Sequence, residues 1–230
     1  MTSSDEHPVT DADVEALRAH FDQRPLEALP WPEGKRNHVM GRLEFTVPGL
    51  RMRPGTLATD ASLSEGQPVV VLAEAWGDGR AACTWLETGR PRDSVAAELE
   101  ALRRALLPLP DGAAVTLFSD CDRHQMIADE ALRGLRGGED SIQRQFRRLN
   151  VQLHHAADQR SARNGFPYHP LLGVAHRVAY VANRGLVDGF REHPAFADVL
   201  AGLAARPMRK DSVRHAYQAA VAQLDRTGDR

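Results

Sequence analysis

"LATDASLSEGQPVVVLAEAWGDGRAACTWLE", residues 57 to 87, is the stretch on which the fold turns. It reads as three extended segments, near 55–61, 67–77 and 80–88, joined by "LSEGQ" and "GDG". Three valines and a leucine, Val69 to Leu72, form the apolar heart of the second segment. Such side chains pack well on a pleated surface. The Asp-Gly pair tolerates the positive φ of a tight hairpin. Three consecutive antiparallel strands are therefore expected. One carboxylate, Asp60, ends the apolar lead of the first strand. Asp favours turns and caps, which would make it a turn residue. It could equally be a metal ligand whose partners come from elsewhere in the chain.

Downstream the period changes. "RPRDSVAAELEALRRALLPLP" reads as a helix over 93–107, capped by Asp93 or Ser94 and closed by Pro108 and Pro110. "AAVTLFSD" is an apolar strand ending in Asp120. Helical stretches near 123–136 and 140–149 are split by Gly137 and Gly138. "NVQLHHA" is another strand, "QRSARNGFPY" a loop, and helices follow near 170–186, 193–204 and 210–226. Three hairpin-linked strands followed by alternating helices and strands imply an α/β fold, a mixed sheet covered by helices. Upstream, residues 1–9 read as a tail, and Thr10 caps a helix over 11–23. Residues 24–54 are broken by prolines, with a possible strand at 41–47, "GRLEFTV". The expected organisation is an N-terminal extension (1–54), a central domain (55–187) and a C-terminal helical extension (188–230).

A chain of 230 residues can bury one sizeable core. Its net charge of −2 gives no global basic signature, though a local basic patch stays open. Cys83 and Cys121 form no CxxC pair, which suits a reducing cytoplasm. The acidic N-terminus lacks the apolar segment of a signal peptide, and no run reaches the roughly 18 apolar residues of a membrane span.

Two further carboxylates join Asp60. On the helix at 93–107, Val95, Leu99, Leu102 and Leu106 form one stripe, with Glu98 on its flank and Glu100 facing away to solvent. An ionised carboxylate on the edge of a buried stripe needs a partner, which could be an arginine. Asp120 ends a strand that is apolar on both faces and so should be central. Sites in open α/β sheets form beyond the carboxyl ends of strands. If the strands of Asp60 and Asp120 are neighbours and the helix packs across them, three carboxylates converge. Such a cluster repels itself without a cation, and hard oxygen ligands suit Mg²⁺ or Mn²⁺.

The order and context of these motifs resemble the ribonuclease H-like superfamily. "ATDAS" resembles that family's first-strand motif, "AAELEAL" its first-helix motif, and "VTLFSDCDRHQMI" its fourth-strand motif. The likeness spans roughly residues 55–187. It implies a mixed five-stranded sheet, and it implies that Asp60, Glu98 and Asp120 bind two Mg²⁺ or Mn²⁺ ions for phosphodiester hydrolysis. It also implies a mobile histidine before the last helix, where His154 and His155 stand, His155 being the better fit. Where the family places an Asp in its last helix, this chain has His176, in "GVAHRVAYVA". His176 could be a fourth, imidazole ligand favouring Mn²⁺, or an ordinary helix-face histidine.

Arg133, Arg136, Arg144, Arg147 and Arg148 concentrate between the fourth and fifth strands of that layout, with Arg160 and Arg163 after them. Guanidinium groups suit phosphate contacts, and a solvated helix face would carry the same residues. Trp76 and Trp85 read as core or hairpin aromatics. The expected activity is that of a metal-dependent endonuclease acting on nucleic acid, most simply the RNA strand of RNA–DNA hybrids. The alternatives are a resolvase-like nuclease acting on structured DNA and a degenerate, non-catalytic binding module on the same fold. A 3′–5′ exonuclease would want a DxE motif, which "TDAS" lacks.

Overall fold

The computed structural model describes residues 38–63, 68–87, 94–121, 123–132, 141–155, 169–207 and 210–228. The helix expected over 11–23 and the loop at 159–168 lie outside them. The strands are β1 (His38–Thr46), β2 (Thr56–Leu63), β3 (Val69–Trp76), β4 (Arg80–Glu87), β5 (Ala114–Ser119) and β6 (Asn150–His155). The described helices are α1 (Ser94–Leu106), α2 (Arg123–Leu132), α3 (Ile142–Arg148), α4 (Pro170–Val187), α5 (Phe196–Ala204) and α6 (Lys210–Gly228).

The six strands form one mixed sheet in the order β1-β4-β3-β2-β5-β6. Strands β1 to β4 pair antiparallel, and β2, β5 and β6 pair parallel. The sheet thus has six strands, not the five expected. The added one is β1, within the segment read from sequence as an extension. Its alternation of Leu43 and Phe45 with Arg42 and Glu44 gives it one face for the core, and it pairs along the edge of β4.

The β3–β4 hairpin shows why its sequence is Gly-Asp-Gly. Gly79 has φ of 98°, open only to glycine at low cost, and a Cβ there would stand 2.7 Å from Arg51 Nη1. Asp78 Oδ1 accepts from the Arg80 amide at 3.1 Å and Oδ2 from Arg80 Nε at 2.8 Å, closing the turn.

Helices cover both faces. Leu171, Leu172, Val174, Val178 and Val181 of α4 pack on one face against Val71, Ala73 and Trp85, with α5 and α6 behind them. On the other, Leu99, Leu102 and Leu106 of α1 join Leu57, Leu117, Met126 and Ile142. Two large buried polar groups tie elements together. Arg177 of α4 donates from Nε and Nη2 to the carbonyl of Ala204, at 3.0 and 2.8 Å, and burial pulls its pKa down to about 10. Glu130, fully buried, accepts from Ser141 Oγ, the Ile142 amide and Gln143 Nε2, and so satisfies the first amides of α3.

Glu100 corrects the reading of α1. It is 7% exposed rather than solvated, held by Arg103 at 2.6 Å and Arg104 at 2.7 Å. The stripe rule assumed one buried face, but Ala97, Ala101, Arg103 and Ala105 are buried as well. Among the described residues, no helix is long and apolar enough to cross a membrane.

Candidate metal centre

The site starts from the register of two parallel strands. Thr56 pairs with Thr116, Leu57 with Leu117 and Ala58 with Phe118. Carried two residues further, the same register sets Asp60 opposite Asp120. Ala58 and Phe118 both belong to the core under α4, so the alternation of side chains turns Asp60 and Asp120 the same way. Glu98 arrives from α1, in the layer on the other side of β2. One carboxylate oxygen from each of Asp60, Glu98 and Asp120 lies within 4.8 Å of the other two. Asp60 is 5% exposed, and Glu98 and Asp120 are half-buried.

His176 joins from the third direction. Its Nδ1 lies 3.0 Å from Asp60 Oδ2, and its side chain keeps 35% of its surface exposed. Seven residues on, Asn183 donates from Nδ2 to Ser62 Oγ at 2.6 Å and to the Leu63 carbonyl at 2.8 Å. The two residues form a polar stripe on α4 that follows β2.

His155 also ends up beside the cluster. Its Nε2 lies 3.1 Å from the main-chain oxygen of Asp120, because β6 pairs Ser119 with His155. His154 is its counterpart on the opposite face. The imidazole stacks on Phe118 with centroids 5.1 Å apart, and the ring of His169 stacks closer, at 3.4 Å. Burial, and then the charge of His154, hold the pKa of His169 below its ordinary value. Phe118 as a floor beneath two imidazoles left no pattern in the sequence, because its partners lie 36 and 51 residues away.

The arginines divide. Arg144 and Arg147 are exposed on α3. Arg148 is not a free phosphate ligand as expected: it reaches back to the end of α1. It donates to the carbonyls of Leu106 (2.8 Å), Leu107 (2.9 Å) and Leu109, and to Asp111 Oδ1 (3.1 Å). A one-residue step along α3 turns the side chain from solvent to these carbonyls. Arg133, Arg136, Arg160 and Arg163 lie outside the described residues. Trp85 is a core residue, its Nε1 donating to the Ala182 carbonyl at 3.1 Å.

Cys121 went unassigned in the sequence. It is 1% exposed and its Sγ lies 3.2 Å from Glu98 Oε2. Its adjacency to Asp120 was the available signal.

Compared with known proteins, the chain matches no family model and no curated protein.

Proposed function

We propose that this protein is a metal-dependent nuclease of the ribonuclease H-like type, hydrolysing phosphodiester bonds in nucleic acid. The observation that carries the reading is the convergence of Asp60, Glu98 and Asp120, from two parallel strands and a helix, to within 4.8 Å. The element order supports it too. Beside the added β1, the strands β2 to β6 give three antiparallel strands and then two that alternate with helices, the mixed five-stranded sheet that the resemblance implies. The donors are hard carboxylate oxygens, Asp60 buried and the other two half-buried, and such a set suits Mg²⁺ or Mn²⁺ with places left for water and phosphate. A bound pair of such ions supplies water activation and charge neutralisation for the departing 3′-oxygen.

In this reading Asp60, Glu98 and Asp120 hold the ions. His176 orients Asp60 through Oδ2, or adds its own nitrogen as a further ligand. His155, tethered at the end of β5, offers an imidazole for proton transfer to the leaving group. Arg144 and Arg147 meet the backbone phosphates. The RNA strand of an RNA–DNA hybrid is the first substrate to test, with structured DNA next.

A second reading rests on the same imidazole. His176 already meets one oxygen of Asp60, and so can replace a cation there. That favours a binding module on the same fold with no catalysis.

The deciding experiment incubates end-labelled RNA–DNA hybrid, duplex DNA, single-stranded DNA and a four-way junction with the protein in Mg²⁺, Mn²⁺ or EDTA, beside Asp120→Asn. Cleavage that needs metal and is lost in the variant is the expected result, and the substrate cut fastest names the branch. Binding without cleavage in either metal would favour the binding module.

A further inference from the structure

We propose that Cys121 is the positioning residue for Glu98, its thiol setting how tightly the carboxylate cluster holds a divalent ion. This rests on the nuclease reading of the cluster. Glu98 differs from the two aspartates in origin and reach. They stand on short side chains, Asp60 within a paired strand and Asp120 directly after one, whereas Glu98 hangs from a helix by a longer side chain with one more rotatable bond. A ligand of that kind needs an outside partner to hold one rotamer.

Cys121 is placed for this. Its Sγ donates to Glu98 Oε2 at 3.2 Å. Its own backbone is pinned, the amide donating to Ser119 Oγ at 3.0 Å. It directly follows Asp120, so one turn of chain fixes a ligand and the partner of another ligand together. It also belongs to the core cluster with Leu99, Leu102 and Met126. A thiol meets both demands. It packs as a small hydrophobe and still offers a weak donor to a carboxylate. A hydroxyl would donate better and pack worse, and a methyl group would pack well and donate nothing.

Two substitutions separate these roles. Cys121→Val keeps the packing and removes the donor. Cys121→Ser keeps the donor and places a hydroxyl in the apolar cluster. Mn²⁺ binding is read from the loss of the free-ion electron paramagnetic resonance signal, at a temperature where circular dichroism shows all variants folded. Melting is followed in EDTA. Cys121→Val should bind Mn²⁺ about ten-fold or more weakly, as loss of an outer-shell partner typically costs, with its melting temperature near that of the wild type. Cys121→Ser should bind close to wild type and melt earlier. A purely structural cysteine would give the reverse order, with affinity following stability. Mn²⁺ binding by Cys121→Val equal to wild type, or an equal loss in both variants, would overturn the inference alone. A wild-type protein that takes up no Mn²⁺ would overturn the nuclease reading and the inference with it.

Discussion

Replacing Asp120 by Asn should stabilise the metal-free protein and destabilise the metal-loaded one relative to wild type. Three carboxylates have oxygens within 4.8 Å of one another. At that separation a like-charged pair repels by about 3.5 kcal/mol at an effective dielectric of 20 and about 0.9 kcal/mol in bulk water. Asp120 and Glu98 are half-buried, so each value falls between those limits. Asp120→Asn removes the repulsion with both neighbours while nearly preserving shape. At about 1 kcal/mol for each of the two pairs, toward the solvated end of that range, the gain is about 2 kcal/mol. For a chain of this size that corresponds to a rise of about 4–8 °C in melting temperature. The assay is differential scanning calorimetry in EDTA and in a Mn²⁺ series. In Mn²⁺ the order should cross. The wild type gains about 2.7 kcal/mol at one hundred times its dissociation constant, and the variant gains less. An Asp120→Asn protein that melts below wild type in EDTA, with no crossing in Mn²⁺, would refute the picture of a self-repelling cation site.

Three further outcomes are expected. Arg148→Met should cost about 1–2 kcal/mol in urea unfolding, since it removes the charged donor to the carbonyls at the end of α1, of which that of Leu106 keeps the Leu109 amide, and binding to a labelled hybrid below the midpoint should be unchanged. Glu130→Ala should cost at least as much, because the Ile142 amide and Ser141 Oγ lose a buried acceptor; native-state hydrogen exchange should show α3 opening first. His169 has its pKa held below the usual value, so its contribution to stability is fully present above pH about 6.5 and is lost as the pH falls below that. His169→Phe, which keeps a ring on Phe118, should flatten the wild-type loss of stability between pH 7 and 5, and an unchanged slope would rule the residue out.

Much of the architecture was legible because its signals are local. Val69 to Leu72, the Asp78-Gly79 turn and the stripe of Leu99, Leu102 and Leu106 each declare their element within one segment. Asp60, Glu98 and Asp120 were legible only as a set, by their places within one strand, on a helix flank and at the end of another strand. What escaped the sequence depends on third bodies. The burial of Glu100 is set by surroundings that the periodicity of α1 does not reveal. Arg144, Arg147 and Arg148 are alike as letters, yet Arg148 alone meets the carbonyls of Leu106 and Leu107, a contact across some forty residues. The role of β1 depended on whether an alternating segment finds an edge, and the β4 edge supplied it.

The strand that carries Asp60 is where the sheet changes direction. On one side β2 is bonded antiparallel to β3, within the part of the chain that forms hairpins. On the other it is bonded parallel to β5, within the part that alternates helix and strand. Asp60 belongs to the first part, and Glu98, Asp120 and His176 to the second. Neither part holds a complete donor set. On the nuclease reading, the seam between the two halves therefore doubles as a checkpoint: divalent-ion affinity would appear only after both have folded and docked in register, and a slip of one residue would turn Asp60 to the opposite face.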